Sequence, residues 1–376
     1  MPFPPYPQVP APITWANGPI LTSQLRNDVT NAVLFLSNRP LYAGQITTGN
    51  SINSGVEQPL GMNVELVDSW SGHQASTGYG ISYYCQAAGW YLCQGTVPWA
   101  YSTATQEVFY NSFSGLTGGA AFGVHGEIQL VGSGHNPSPQ ICDLIQQTVT
   151  GPIGGGGDKI TLNGIQNTGS PLALAATATE LPYVTIRWVC ATSGTASLPV
   201  PANASWPVPA AYITSAFLNA NIRDTIRFLT YPPIYRAHYT AGSSTLPAQT
   251  FPAGTVVPLT TIDVDNYSGG ATGTSAGYTA PVGGVYFCHG QFNLASSANQ
   301  INVCAGLQVN GGTIAWGGSV FALANASGTG TVISRRLRLN AGDTVQFCAS
   351  QGTPGALAYN ATAANQTRFL AVWECS

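Results

Sequence analysis

Charge is what this sequence has least of. Asp, Glu, Lys and Arg make up 7% of 376 residues, 14 acids against 11 bases, for a net charge of −3. A surface with so few charges must be polar and neutral, or else be covered in an assembly. Eleven bases leave no basic patch apart from Arg335-Arg336-Leu337-Arg338, so nothing points to nucleic acid as a partner. Long hydrophobic runs are also missing. No stretch of about 18 apolar residues occurs, so no transmembrane helix and no membrane insertion are expected. The start, Met1-Pro2-Phe3-Pro4-Pro5-Tyr6-Pro7, has neither the basic nor the apolar region of a signal peptide, which argues for synthesis in the cytoplasm.

Signatures of catalysis are scarce. There is no His-Glu-x-x-His and no Cys-x-x-Cys. The run Gly154-Gly155-Gly156-Gly157-Asp158-Lys159 lacks the Gly-Lys-Ser/Thr ending that holds nucleotide phosphates, and it reads instead as a turn into a strand. The histidines, His73, His125, His135, His238 and His289, lie on unrelated segments. No enzyme is expected, and no catalytic residue, cofactor site or metal site is assigned.

What is present is a core. Apolar residues make up 44% of the chain and aromatics 10%, with 44 glycines and 26 prolines as punctuation. Residues 1–19 are proline-rich and extended, an arm rather than a domain. Residues 20–40 carry a helix, with Thr22 or Ser23 as N-cap and Pro40 beyond its end. Its apolar stripe is Leu25, Val29, Ala32 and Leu36. The same paragraph returns 193 residues later: Leu218, Ile222 and Phe228-Leu229 meet Leu25, Val29 and Phe35-Leu36 without a gap. A second helix over 213–231, with Leu218, Ile222, Thr225 and Leu229 on its packing face, therefore follows a linker at 196–212.

The segments after each helix repeat too. Tyr83 to Gly95 matches Tyr278 to Gly290, with a cysteine four residues beyond a shared glycine. Gly157–Cys190 and Gly342–Cys375 align without a gap at eleven of thirty-four positions. The chain is a tandem duplication of helix plus all-β domain, 41–195 and 232–376. Short alternating runs broken by Gly, Asn, Ser and Pro predict sandwich or jelly-roll strands, with Asn310-Gly311-Gly312 a strong hairpin signal. The first copy carries an insertion near Ser133–Gly157.

Asp265-Asn266-Tyr267, Gly277-Tyr278-Thr279-Ala280-Pro281-Val282-Gly283-Gly284-Val285-Tyr286-Phe287, Leu307-Gln308-Val309-Asn310-Gly311 and Phe369-Leu370-Ala371-Val372 follow one another in an order that resembles the complement globular-head family, relatives of tumour necrosis factor. The likeness covers residues 250–376 and extends to the first copy through the repeat. It implies jelly rolls that assemble as a homotrimer, with the helices forming a threefold bundle or packing on their own jelly rolls. It also places Cys93 near Cys190 and Cys288 near Cys375, with Cys304 and Cys348 on neighbouring strands. Disulfides and free buried thiols both fit that placement. Asp263, Asp265 and Asp343 are candidate calcium ligands near the axis, though solvated turn carboxylates fit them better.

The helical leader, Trp206 to Pro233, is similar to leaders of virion structural proteins of actinobacterial tailed bacteriophages, mostly minor tail proteins. The two resemblances imply a virion protein, on the tail rather than the capsid surface. In that reading the arm tethers it to other virion proteins, two storeys stack along the threefold, and the outer loops touch a host cell-surface glycan. A capsid decoration or head fibre with a purely architectural role is the alternative.

Overall fold

The computed structural model describes residues 22–47, 51–74, 82–100, 107–117, 120–131, 138–151, 157–175, 181–193, 222–240, 244–249, 251–294, 301–322, 329–352, 355–360 and 366–375. The arm, the linker and Leu218 lie outside them.

Each half is a helix followed by a two-sheet β-sandwich. In the first, α1 (Thr22–Ser37) precedes β1 (Leu41–Gln45), β2 (Val64–Asp68), β3 (Ser82–Tyr84), β4 (Gly89–Thr96), β5 (Glu107–Thr117), β6 (Ala120–Val131), β7 (Gln140–Gln147), β8 (Lys159–Gln166) and β9 (Tyr183–Cys190). In the second, α2 (Asp224–Thr230) precedes β10 (Ile234–His238), β11 (Thr261–Asp265), β12 (Gly277–Thr279), β13 (Gly284–Leu294), β14 (Ile301–Val309), β15 (Ala315–Ala322), β16 (Thr329–Leu339), β17 (Thr344–Gln351) and β18 (Arg368–Cys375).

One sheet of the first half runs β2-β1-β9-β4-β7, and its counterpart runs β11-β10-β18-β13-β16. The other sheets contain β8-β5-β6 and β17-β14-β15, with β3 and β12 paired to β8 and β17. Every one of these pairings is antiparallel, and the strand order is that of a jelly roll. The extra residues of the first copy fall in the β7–β8 connection, which spans 148–158 where the second copy needs only 340–343.

The duplication is visible atom by atom. Phe35 meets Trp188 edge-on at 4.8 Å, and Phe228 meets Trp373 at the same 4.8 Å. Tyr91 Oη donates to Ala87 O at 2.7 Å, and Tyr286 Oη to Val282 O at 2.9 Å. Asp68 accepts the backbone N–H groups of Trp70, Gly72 and His73. Asp265 does the same for Tyr267, Gly269 and Gly270. Those bonds hold Ser71 and Ser268 at φ +51° and +56°, a left-handed geometry that a serine does not take without such support. Asp265→Ala should cost about 1–3 kcal/mol in urea unfolding, because several turn donors lose a charged acceptor together.

The glycines that open β4 and β13 answer one constraint in both copies. A Cβ on Gly89 would sit 2.0 Å from Trp188 Nε1, and one on Gly284 2.3 Å from Trp373 Nε1. Close approach of an indole to the backbone, which both copies need, is the constraint they share. Gly290 is similar in kind, since its Cβ would lie 2.3 Å from the Phe347 ring. Gly290→Ala should therefore destabilise the second jelly roll by about 1–3 kcal/mol, measured as a shift in urea midpoint, because the ring has no free volume to enter.

Two apolar cores follow, one inside each sandwich, anchored by Phe35, Trp188 and Tyr91 and by Phe228, Tyr286 and Phe347. A third cluster, including Leu92, Leu144, Cys190, Ile234, Phe287 and Leu370, belongs to both halves. It joins the two jelly rolls side by side. The stacked storeys expected from the resemblance are thereby corrected: apolar side chains that each half leaves outside its own core cover one another.

Candidate functional site: the contact between the two jelly rolls

The contact joins an edge of the first jelly roll, together with Leu92, Val189 and Cys190 of its adjoining sheet, to a sheet face of the second. The edge belongs to the first jelly roll, where β6 and β7 close the sandwich. The face is the β11-β10-β18-β13-β16 sheet of the second, and β6 runs against β16, β15 and β13. Cys142 and Leu144 of β7 meet Ile234, Phe287, Leu370 and Val372. Gln291 Nε2 donates to the carbonyl of Gly126 on β6 at 2.7 Å.

Between Cys142 and Leu144 stands Asp143, fully buried. Arg236 of β10 donates to it from Nε at 2.7 Å and from Nη2 at 3.0 Å, a bidentate fork. Arg368 of β18, 1% exposed, brings Nη1 to 3.3 Å of the same carboxylate. Arg236 also reaches Asp263 at 2.7 Å, which in turn meets His238 Nδ1 at 2.8 Å. Burial alone would raise the Asp143 carboxyl's pKa, but the two guanidinium groups outweigh it and hold it below the usual carboxylate range. Burial would likewise lower Arg236, and Asp143 and Asp263 raise it instead. Arg368, deeper and repelled by Arg236, is lowered on balance. In a chain with so few charges, this concentration of them in one buried place is a specific lock between the halves.

His289 sits next to this lock on β13. Its Nδ1 lies 2.8 Å from Ser334 Oγ, while Nε2 is buried with no hydrogen-bond partner. Burial, with Arg368 as the second cause, pushes its pKa down to about 3. An imidazole that holds no proton near neutrality is a weak general base. Gly273-Thr274-Ser275-Ala276-Gly277 has the spacing of a hydrolase elbow, but its serine ends a 3-10 turn that leads into β12. A nucleophile elbow runs from strand to helix.

The residues singled out from the sequence are dispersed. On α1, Ala32 is buried and Val29 and Leu36 are partly so; the side chain of Leu25 lies outside the described residues. Ile222, Thr225 and Leu229 are partly buried on the second helix. The residues that tie each helix to its own jelly roll are Phe35 and Phe228, which the stripe overlooked although Phe35-Leu36 and Phe228-Leu229 match in the repeat. The two helices also touch each other, and Arg39 Nη2 donates to Leu229 O at 3.1 Å.

The disulfide alternative is corrected. All eight cysteines are free thiols. Cys93 stands opposite Ile186 and Cys190 opposite Trp90; Cys288 stands opposite Ala371 and Cys375 opposite Val285. Each proposed pair is thus offset by three residues on one strand and four on the other, and Cys93 and Cys190 belong to different apolar clusters. Cys304 and Cys348 stand opposite Ser350 and Gly306, again out of register. Native alkylation should modify Cys375 alone, the one exposed thiol, while denatured protein should take up eight labels by mass spectrometry.

The three candidate calcium ligands each hold protein partners. Asp263 serves Arg236 and His238, Asp265 holds its turn, and Asp343 accepts from Asn340 and Asn310. Among the described residues no three potential ligands gather.

Sequence reasoning missed Asp143, Arg236, Arg368 and His289. The available signal was a charge set among apolar neighbours in predicted strands, as at Ile141-Cys142-Asp143-Leu144-Ile145.

No protein-family model matches the chain, and no curated protein matches it in sequence. Solved structures do. The globular domain of zebrafish complement 1qA protein is 16% identical over 38% of this chain and 99% of its own, with a TM-score of 0.28. Murine APRIL at pH 5.0 is 10% identical over 37% and 98%, with a TM-score of 0.28. Eiger TNF from S. frugiperda is 13% identical over 38% and 94%, also at 0.28. The chain is a mainly β protein of two helix-led jelly rolls, and that assignment rests on its own strand order.

Proposed function

We propose that the protein is a non-enzymatic structural component of a tailed-phage virion, a minor tail or fibre protein that contributes to host-surface attachment. The observation that carries the reading is the repeated unit itself. In both copies a short helix ends at a proline and passes directly into the first strand of a jelly roll, with a phenylalanine locking the two together. The buried lock around Asp143 supports the same reading, because a particle component has to present its domains in one fixed arrangement.

Assembly in threes is part of the proposal, with one revision to the homotrimer implied by the resemblance. Each chain supplies two adjacent jelly rolls of a ring instead of one jelly roll to each of two storeys. The arm at residues 1–19 attaches the protein to other virion proteins, and neutral outer loops bind host glycan weakly, with avidity from several copies.

Gold-labelled antibody against the full chain tests this on intact particles. Label on the tail is the expected result. Label spread over the capsid would transfer the protein to the decoration role, and unlabelled particles would overturn the proposal.

A further inference from the structure

Strand register lays one jelly roll on the other and separates what the fold needs from what it does not. In the first, Gln58 pairs with Gly164 and Ser112 with Asn163. The same places in the second are Thr255 with Ala349 and Gly306 with Cys348. Glu57 therefore corresponds to Gly254, Ser112 to Gly306 and Asn163 to Cys348. Ala305 and Leu307 enter the core, so Gly306 between them lies on the outer face of its sheet. In the first copy this patch satisfies itself. Glu57 Oε1 accepts from Ser112 Oγ and, at 2.9 Å, from Asn163 Nδ2, which also donates to Ser114 Oγ at 2.8 Å.

The second copy has glycine in place of both Glu57 and Ser112, and an aromatic pair occupies the space. Trp316 of β15 stands opposite Gly306 and lays its indole across the outer face. A Cβ on Gly306 would sit 2.8 Å from Trp316 Cε3, and one on Gly254 2.6 Å from Cη2, so the ring needs both glycines. Phe251 meets the indole at 5.5 Å, with the two planes at 51°. A longer connection carries it. Gln58 lies six residues after Ile52, whereas Thr255 lies nine after Leu246, the equivalent of Ile52. That connection is pinned on both sides of Phe251, by Gln249 N donating to Gln351 O at 3.2 Å and by Thr255 in its ladder. Gln249 Nε2 also donates to Thr255 Oγ1 across its root. Phe251 is nevertheless 58% exposed. A ring fixed in water beside a half-buried indole, in a place where the other copy folds without either, does not serve the core.

We propose that Phe251 and Trp316 form a stacking platform for a neutral saccharide ring, the glycan-contacting site of the second jelly roll. This deepens the virion proposal and rests on its reading of the chain as an attachment protein. A sugar ring has a C–H face that packs on an aromatic face, and a rim of hydroxyls that need hydrogen-bond partners. Gln308 and Gln346, opposite each other on the face that Gly306 shares, supply amides beside the platform. Arg335, exposed, donates Nη2 to Trp316 O at 2.9 Å and offers further donors at the rim. A peptide captured as an added strand needs a free sheet edge, but β14 and β17 are each paired on both sides. Nucleic acid needs a row of bases, where the register places glutamines.

Native gels cast with a soluble galactan, arabinan, mannan or glucan test the site on the full chain. The wild type should be retarded by at least one of these polysaccharides. Phe251→Ala should need about tenfold more of it for the same retardation, the loss of one aromatic anchor. Phe251→Trp, which keeps a stacking face, should retain the wild-type response. Leu66→Ala removes a side chain that is equally exposed, at 59%, on the first jelly roll, and should change nothing. Circular dichroism verifies each fold. If Phe251→Ala does not fold, Phe251→Leu, which keeps bulk and loses the flat ring, replaces it with the same expected loss. Equal retardation of the wild type and the ring-deleted variant would overturn this site and leave glycan attachment standing. Equal losses in that variant and in Leu66→Ala would reduce the effect to general apolar adhesion and overturn the site as well. A wild type that no gel retards would overturn glycan attachment itself, and this site with it.

Discussion

Asp143→Asn is expected to lower the stability of the native chain by about 3–5 kcal/mol, the cost of removing one partner from a buried ion pair. Asp143 is fully buried, and the two guanidinium groups it holds are nearly so. Asparagine keeps the shape and removes the charge, so Arg236 keeps Asp263 while Arg368 is left with Gln291 Oε1 as a neutral acceptor at 2.7 Å. Urea unfolding followed by tryptophan fluorescence reads the loss as a shift in midpoint. Replacing the whole lock, as D143L/R236M/R368M, should fall closer to wild type than the single change, because no charge is then left buried without a partner. Equal losses in the two variants would mean that packing, and not charge, holds the halves together.

The same residue sets the acid limb. The folded carboxyl titrates below its unfolded value of about 3.9, so its stabilisation is present above that pH. It is lost as pH falls through the folded value. Asp143→Asn should flatten the wild-type decline below about pH 4.

The second large effect belongs to His289, and it acts at milder pH. The unfolded imidazole takes a proton near pH 6.5, whereas the folded one does so only at about 3. Its pKa is depressed on folding, so the unfolded chain binds the extra proton between those values. Stability is therefore full above about pH 6.5 and falls as pH drops toward 3, by about 1.4 kcal/mol for each pH unit in the window. Moving from pH 7.5 to 4.5 should cost about 2–3 kcal/mol in unfolding free energy on that slope. Asp143, Arg368 and Ser334 are the groups around this ring, and Asp143 keeps its charge through that interval. His289→Gln, which installs the residue that the first copy has in Gln94, should remove the slope while leaving stability near neutrality within about 1 kcal/mol. An unchanged slope in that variant would assign the pH dependence elsewhere.

Much of this molecule was legible in its sequence because the governing interactions are local and occur twice. Phe35 and Phe228, Trp188 and Trp373, Tyr91 and Tyr286, and Asp68 and Asp265 each serve one jelly roll. Duplication preserved them at constant spacing, so the repeat exposed the unit, and the alternation of apolar residues exposed the strands. The helix stripe was legible only in part. Spacing alone ranks Leu36 with Phe35, and it takes the position of Trp188 to show which one enters the core.

The contact between the jelly rolls was not legible, and the reason is also physical. Asp143, Arg236 and Arg368 occupy places where the two copies differ: Arg335 stands in place of Asp143, Ala43 in place of Arg236, and Tyr183 in place of Arg368. No repeat reveals such residues, because each is matched to a partner in the other copy and not to its own counterpart. The cysteines make the same point in reverse. Neighbouring strands suggested bridges, and a register offset of two to four residues, set by the ladder's hydrogen bonds, separated the sulfurs. By itself, then, the sequence determined two copies of a helix-led jelly roll with polar, nearly charge-free surfaces. Only the tertiary structure decided which face meets which edge, because that choice depends on charges brought together from opposite halves of the chain.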